Sequence, residues 1–88
     1  MERKRVRFGD GRSDVLARFP ILEVSGTNRL LIENHLGILG YSLEEICVKV
    51  SYGYIRIYGN NLRFVQLNKE QVVISGCIMS VNFLGGIV

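Results

Sequence analysis

From Ile21 onward the chain repeats apolar and polar residues with a period of two and breaks that pattern at glycines and asparagines, never in helical steps. Such a pattern gives strands with one buried face and leaves no stretch for a helix of ordinary length. Ile21–Ser25 and Arg29–Glu33 flank Gly26-Thr27-Asn28, which reads as a tight hairpin turn. Asn34-His35 makes the next corner, Gly37–Tyr41 a short strand, and Ser42-Leu43-Glu44 another turn. In the strand predicted over 45–52, Ile46, Val48, Val50 and Tyr52 face one way, and Cys47, Lys49 and Ser51 the other. Gly53 leads into Tyr54–Tyr58, with Ile55 and Ile57 inward and Tyr54, Arg56 and Tyr58 outward. Gly59-Asn60-Asn61 reads as one more hairpin turn before Leu62–Leu67, because glycine and asparagine tolerate positive φ. Asn68-Lys69-Glu70 is a polar turn, and the last two strands, Val72–Ser75 and Cys77–Leu84, hinge at Gly76. Upstream, Ser13–Phe19 is open between a helical turn capped by Ser13 and a strand in which Val15, Ala17 and Phe19 alternate, and Pro20, which biases the residue before it toward extended backbone, favours the strand. Seven or eight short strands at this spacing predict an all-β fold, a small antiparallel sandwich or barrel.

Eighty-eight residues allow a single domain. A chain of this size buries only about 60–65% of the surface that its unfolded form exposes, so self-association or a partner is an expected support. The 48% apolar content exceeds what a small core needs and suggests that one sheet face is an interface. No apolar run approaches the roughly 18–20 residues of a membrane span, and the N-terminus lacks a signal-peptide pattern. Two cysteines, Cys47 and Cys77, without a CxxC suit free thiols in a reducing cytosol.

Charge is unevenly placed. Residues 1–12 carry Arg3, Lys4, Arg5, Arg7 and Arg12 against Glu2 and Asp10, whereas basic and acidic side chains balance over 13–88. The whole net charge of +3 therefore sits on an N-terminal stretch, set off by Gly9-Asp10-Gly11. We read residues 1–12 as a flexible basic arm and 13–88 as the β domain. The arm is either an electrostatic tether, for nucleic acid, anionic lipid or an acidic protein, or a solvated terminus.

Catalysis finds little purchase. His35 is the sole histidine, and its one candidate partner is Glu33, two residues away and on the same face if the strand continued. The alternative is a hydrogen-bonded turn histidine. Cys47 alternates with core positions and reads as a packed thiol, and Glu44-Glu45 as solvated carboxylates. No phosphate-cradling loop or metal-ligand spacing occurs, so neither cofactor nor metal is expected. The face formed by Tyr54, Arg56 and Tyr58 carries residue types enriched at protein-binding hot spots, and it could also stack nucleic-acid bases.

The stretch Leu31-Ile32-Glu33-Asn34-His35-Leu36-Gly37-Ile38, with Tyr41-Ser42 and Glu45-Ile46-Cys47-Val48, resembles the LxIENHxGI core of the YabP/YqfC sporulation family. Gly53 through Gly59, Leu62, Leu67 and Val73 through Ile78, with Gly76, are similar to that family's glycine-punctuated tail. Asp14-Val15-Leu16 and Pro20-Ile21 resemble the lead-in of the YqfC branch, although Ala17-Arg18 stands where a Leu-Asp pair is usual. The resemblance implies an immunoglobulin-like β-sandwich without enzymatic activity. It also implies a part in building the spore coat or cortex in the mother cell of a sporulating bacterium, in the cytoplasm or at the periphery of the forespore membrane. A membrane-associated sporulation protein is then an expected partner, and homo-oligomerisation is open. Glu33, Asn34 and His35 are the distinctive polar element of the motif, and Gly37, Gly53, Gly59 and Gly76 its glycines. Partner contacts are expected from Arg3, Lys4, Arg5, Arg7, Tyr54, Arg56 and Tyr58. A nucleic-acid-binding domain using the arm and the tyrosine face is the alternative reading.

Overall fold

A computed structural model describes residues 19–51 and 53–85 in full, and residues 3–7 as backbone. Among the described residues seven strands form one antiparallel sheet: β1 (Arg3–Arg7), β2 (Ile21–Ser25), β3 (Arg29–Glu33), β4 (Gly37–Tyr41), β5 (Glu45–Val50), β6 (Gly53–Leu67) and β7 (Gln71–Leu84). Their order is β1-β2-β3-β7-β6-β5-β4. Every hairpin but one joins neighbours. The exception is β3, which pairs with β7, Arg29 opposite Ser75 and Glu33 opposite Gln71.

The expected immunoglobulin-like sandwich is not what forms. Among the described residues one ladder runs unbroken from β1 to β4 and stays open at both ends, so they form neither two separate sheets nor a closed barrel. The misreading has a local cause. Gly59-Asn60-Asn61, expected as a hairpin turn, lies inside β6, and Cys77 pairs across from Asn60 without interruption of the strand. Two predicted strands on either side of that triplet are therefore one strand of 15 residues, and the two predicted on either side of Gly76 are likewise one, β7, of 14 residues.

Both long strands bend because their register shifts three times: between Tyr58 and Gly59, between Asn60 and Arg63, and between Phe64 and Gln66. The first shift leaves Met79 unpaired, the second Asn61 and Leu62 against Gly76, and the third Val65, and each sharpens the local twist. At the bend the two backbones touch. A Cβ built on Gly59 would lie 1.9 Å from the carbonyl oxygen of Cys77, and one on Gly76, at φ 130°, would lie 2.5 Å from that of Asn61. Only glycine fits either place.

The first half of β6 pairs with β5 and the second half with the start of β7, so the bend turns the inner faces of the two parts toward a shared core. Leu22, Leu30, Ile32, Val72 and Ile74 come from one part, and Ile46, Val48, Val50, Ile55, Ile57 and Leu62 from the other, all buried in one cluster. Ile46, Val48 and Val50 point inward as the alternation predicts, whereas Tyr52 and residues 8–18 lie outside the described residues. The N-terminal stretch read as an arm supplies β1, with Lys4 opposite Val24 and Val6 opposite Leu22.

Candidate functional site

Two groups of residues singled out by sequence can be followed into the fold. The first is Glu33-Asn34-His35, at the corner between β3 and β4. Asn34 takes the left-handed conformation at φ 65°, which asparagine tolerates better than most residues. Its Nδ2 donates to the Phe19 carbonyl at 2.9 Å, and its backbone N–H donates to Glu70 at 2.8 Å. His35 is 8% exposed. The Gly37 N–H donates to its Nδ1 at 3.0 Å, which makes Nδ1 the acceptor and leaves Nε2–H to donate to the Asn68 carbonyl at 2.7 Å. Glu33 receives Gln71 Nε2 at 3.5 Å from the strand beside it.

Every one of these bonds serves the scaffold. Asn68 itself is fixed, its Oδ1 accepting the N–H groups of Glu70 and Gln71 at 2.9 Å each. The β3–β4 corner is thus locked to the β6–β7 turn by His35 and Asn34, and to the approach to β2 by Asn34. With both ring nitrogens engaged by backbone, His35 has neither a free base nor a free acid to offer, which removes the dyad with Glu33. Among the described residues no cluster of three or more metal-ligating side chains occurs.

The glycines of the motif divide the same way. Gly59 and Gly76 allow the backbones to touch at the bend, Gly37 opens β4 and feeds His35, and Gly53 opens β6 opposite Val50.

The second group is Tyr54, Arg56 and Tyr58. Pairing places them on one face of β6 beside Lys49, Cys47 and Glu45 of β5 and Leu84, Asn82 and Ser80 of β7. Arg56 Nε lies 2.9 Å from Glu45 Oε2 without pointing its proton at that oxygen, so the contact is an ion pair and not a hydrogen bond. Its guanidinium also lies 5.7 Å from the centre of the Tyr54 ring. The Tyr58 side chain pushes the Arg56 guanidinium above its ordinary range; desolvation is the next effect and opposes it, and Cys47 and the Glu45 carboxylate add smaller upward contributions. A cation already occupied by Glu45 and Tyr54 is poorly placed to reach a phosphate, and the nucleic-acid reading gains no support. Arg3, Lys4, Arg5 and Arg7 belong to β1, at the opposite edge of the sheet from β4.

Sequence reasoning missed the apolar residues extruded where the register slips. The shift between Ile38 and Gly40 leaves Leu39 unpaired, and the shifts in β6 and β7 leave Val65 and Met79 so. All three are more than half exposed. A bulge adds one residue to a strand without changing its composition, and nothing in a period-two pattern marks it.

The YabP family model matches residues 20–86, most of the chain. This chain belongs to the YabP family. The curated relative "Uncharacterized protein YqfC" of Bacillus subtilis (strain 168) is 28% identical over 71 residues, covering 81% of this chain and 76% of the relative. No solved structure matches. As a YabP-family member the chain is a sporulation-associated protein that is not an enzyme and acts through protein contacts. Its polar signature makes physical sense in that light, because a scaffold needs its corners locked and no proton moved. No helix among the described residues is long and apolar enough to cross a membrane.

Proposed function

We propose that this YabP-family chain is an assembly module of the spore envelope, coat or cortex, working in the mother cell. The observation that carries the reading is the use made of Glu33-Asn34-His35: the family's most distinctive polar residues bond within the scaffold, while Leu36, Leu39, Leu43, Val65 and Met79 stand exposed on the surface. Surface apolar residues on an open-edged sheet support contact with other polypeptides. Tyr54, Arg56 and Tyr58 form a second contact face, and Arg3, Lys4, Arg5 and Arg7 a basic edge suited to an acidic partner. A membrane-associated sporulation protein at the forespore surface, with cytoplasmic attachment through that edge, fits this distribution, and so does self-association.

Deletion of the gene tests the reading. The expected result is fewer heat-resistant spores with an altered coat or cortex by electron microscopy. Spores of normal yield and normal layers would sink it. Replacing Arg3, Lys4, Arg5 and Arg7 with glutamine in the same strain is expected to disperse a fluorescent fusion from the forespore rim, and an unchanged rim would remove the basic edge from the proposal.

A further inference from the structure

One row across the sheet alternates arginine with serine. Arg3 lies opposite Ser25, Ser25 opposite Arg29, Arg29 opposite Ser75, and Ser75 opposite Arg63. Residues directly opposite share a face. This row lies on the outer face, because the neighbours of Arg29, Ser75 and Arg63 along their strands, Leu30, Ile74 and Leu62, are fully buried. Arg29 and Arg63 are exposed, and among the described residues neither side chain has a hydrogen-bond, ion-pair or ring partner. Ser75 is half-buried between them. No carboxylate belongs to the row, and the next row on this face, Arg5, Glu23, Leu31 and Val73, has one.

A bulge puts Arg63 in its place. Asn60 pairs with Cys77, so an unbroken register would bring Leu62 opposite Ser75 and Arg63 opposite Ile74, in the core. Because Asn61 and Leu62 together oppose Gly76, Leu62 turns inward and Arg63 outward. Bulges re-aim side chains in this way next to functional positions. The turn between β2 and β3 closes over the same end of the sheet. There the Gly76 N–H donates to Asn28 at 3.2 Å and the Ile78 N–H to Thr27 at 2.9 Å, which fixes the backbones that carry Arg29 and Ser75.

Adjacent strands lie about 4.8 Å apart, so successive arginines of the row stand roughly 9.6 Å from each other and the row spans about 19 Å. That span exceeds one small anion and suits an extended array of negative charge. Neither this row nor the next holds an aromatic ring on which a base could stack, and the row itself holds no apolar side chain to enter a lipid layer. A polypeptide fits a molecule that acts through protein contacts. On an α-helix, residues seven apart share nearly one face and lie about 10.5 Å from each other, close to the arginine spacing. Same-face residues of a strand repeat at about 6.7 Å and fall out of step.

We propose that this row docks an acidic helix of a partner protein, lying across the strands with carboxylates seven residues apart on Arg29 and Arg63. Each guanidinium donates two N–H groups to its carboxylate, the Ser75 hydroxyl is a further donor between them, and Arg3 continues the register toward a third carboxylate. The inference rests on the reading of the chain as an assembly module and names the chemistry of what it contacts.

The test titrates the full chain by fluorescence polarisation at low salt. One probe is a helical alanine-glutamine peptide of three heptads with one glutamate at the same place in each. The other is an isomer of the same composition with its glutamates on three different faces. The first should bind about fivefold tighter or better, and lose most of that affinity in high salt. Arg29→Gln and Arg63→Gln should each weaken it about threefold, and together about tenfold. Lys69→Gln removes the same charge from the turn between β6 and β7 and should leave binding unchanged. Both arginines are exposed and unpartnered, so the variants should keep the parent's urea midpoint, and the comparison of the two peptides needs no variant at all.

Equal affinity for the two peptides, or an equal loss in Lys69→Gln, would overturn the proposal. So would tighter binding of anionic phospholipid vesicles or of single-stranded DNA that also depends on Arg29 and Arg63. Normal spores after gene deletion would remove the envelope role while leaving a measured helix complex intact. Defective spores from the deletion, with neither peptide bound, would remove only the docking row.

Discussion

Gly59→Ala puts the fold to its hardest single test. The added methyl would start 1.9 Å from the Cys77 carbonyl oxygen and 3.0 Å from both the Cys77 carbonyl carbon and Leu62 Cδ2. An ordinary carbon–oxygen contact is roughly 3.3 Å, so β6 and β7 must part by about 1.4 Å at the bend, and the obstacle is backbone that cannot rotate away. The bend holds Leu62 in the core, so the disturbance spreads to a fully buried side chain. Overpacking that moves backbone costs about 3 kcal/mol and occasionally more, against a total stability of roughly 4–13 kcal/mol for a domain of this length. With a urea slope near 1.5 kcal/mol/M, the unfolding midpoint should fall by about 2 M. Gly40→Ala is the control. Nothing lies within 4 Å of the position its Cβ would take, and its φ is not in the left-handed range, so its midpoint should stay within about 0.5 M. A Gly59→Ala midpoint as close to the parent as that of Gly40→Ala would refute the account of the bend.

Removing the ring in His35→Ala strands the Asn68 carbonyl and the Gly37 N–H, and should cost about 2 kcal/mol by denaturant titration, with faster amide exchange through residues 68–71. Asn34→Ala loses both a tolerated left-handed backbone and the bond to Phe19, for about 2 kcal/mol, whereas Asn34→Gly keeps the backbone and should lose roughly half as much in the same titration. Cys77 is exposed and Cys47 buried, so a thiol reagent should modify one cysteine quickly in the native protein and the second only in denaturant. Two fast thiols would mean that the outer face of β5 is open.

Turns with a polar side chain to cap them were legible in the sequence, and bulges were not. Gly26-Thr27-Asn28, Asn34-His35, Ser42-Leu43-Glu44 and Asn68-Lys69-Glu70 all turn where expected. Ser42 Oγ and Asn68 Oδ1 accept the backbone N–H groups that would otherwise be orphaned there. Gly59-Asn60-Asn61 has the same composition but another task, and only the long-range approach of Cys77 distinguishes the two. That misreading, with the parallel split of β7 at Gly76, turned two long strands into four and suggested a sandwich. The shared face of Tyr54, Arg56 and Tyr58 followed from alternation, whereas the ion pair that occupies Arg56 depends on the β5–β6 register. His35 could be read as a turn residue, but its partner lies 33 residues away.

The position of β7 has a consequence for how the molecule is made. Of the seven strands it is synthesised last, yet it lies at the middle of the sheet and joins β3 on one side to β6 on the other. Until it emerges from the ribosome, the hairpin of β2 and β3 and the meander of β4 to β6 have no strand between them, and the edges they expose are those most prone to pair with the wrong chain. Arg29 waits for Ser75 across 46 residues of chain, a long loop to close and a slow one. The protein therefore becomes a domain late, and a chain stopped after Glu70 would carry two halves with no strand between them.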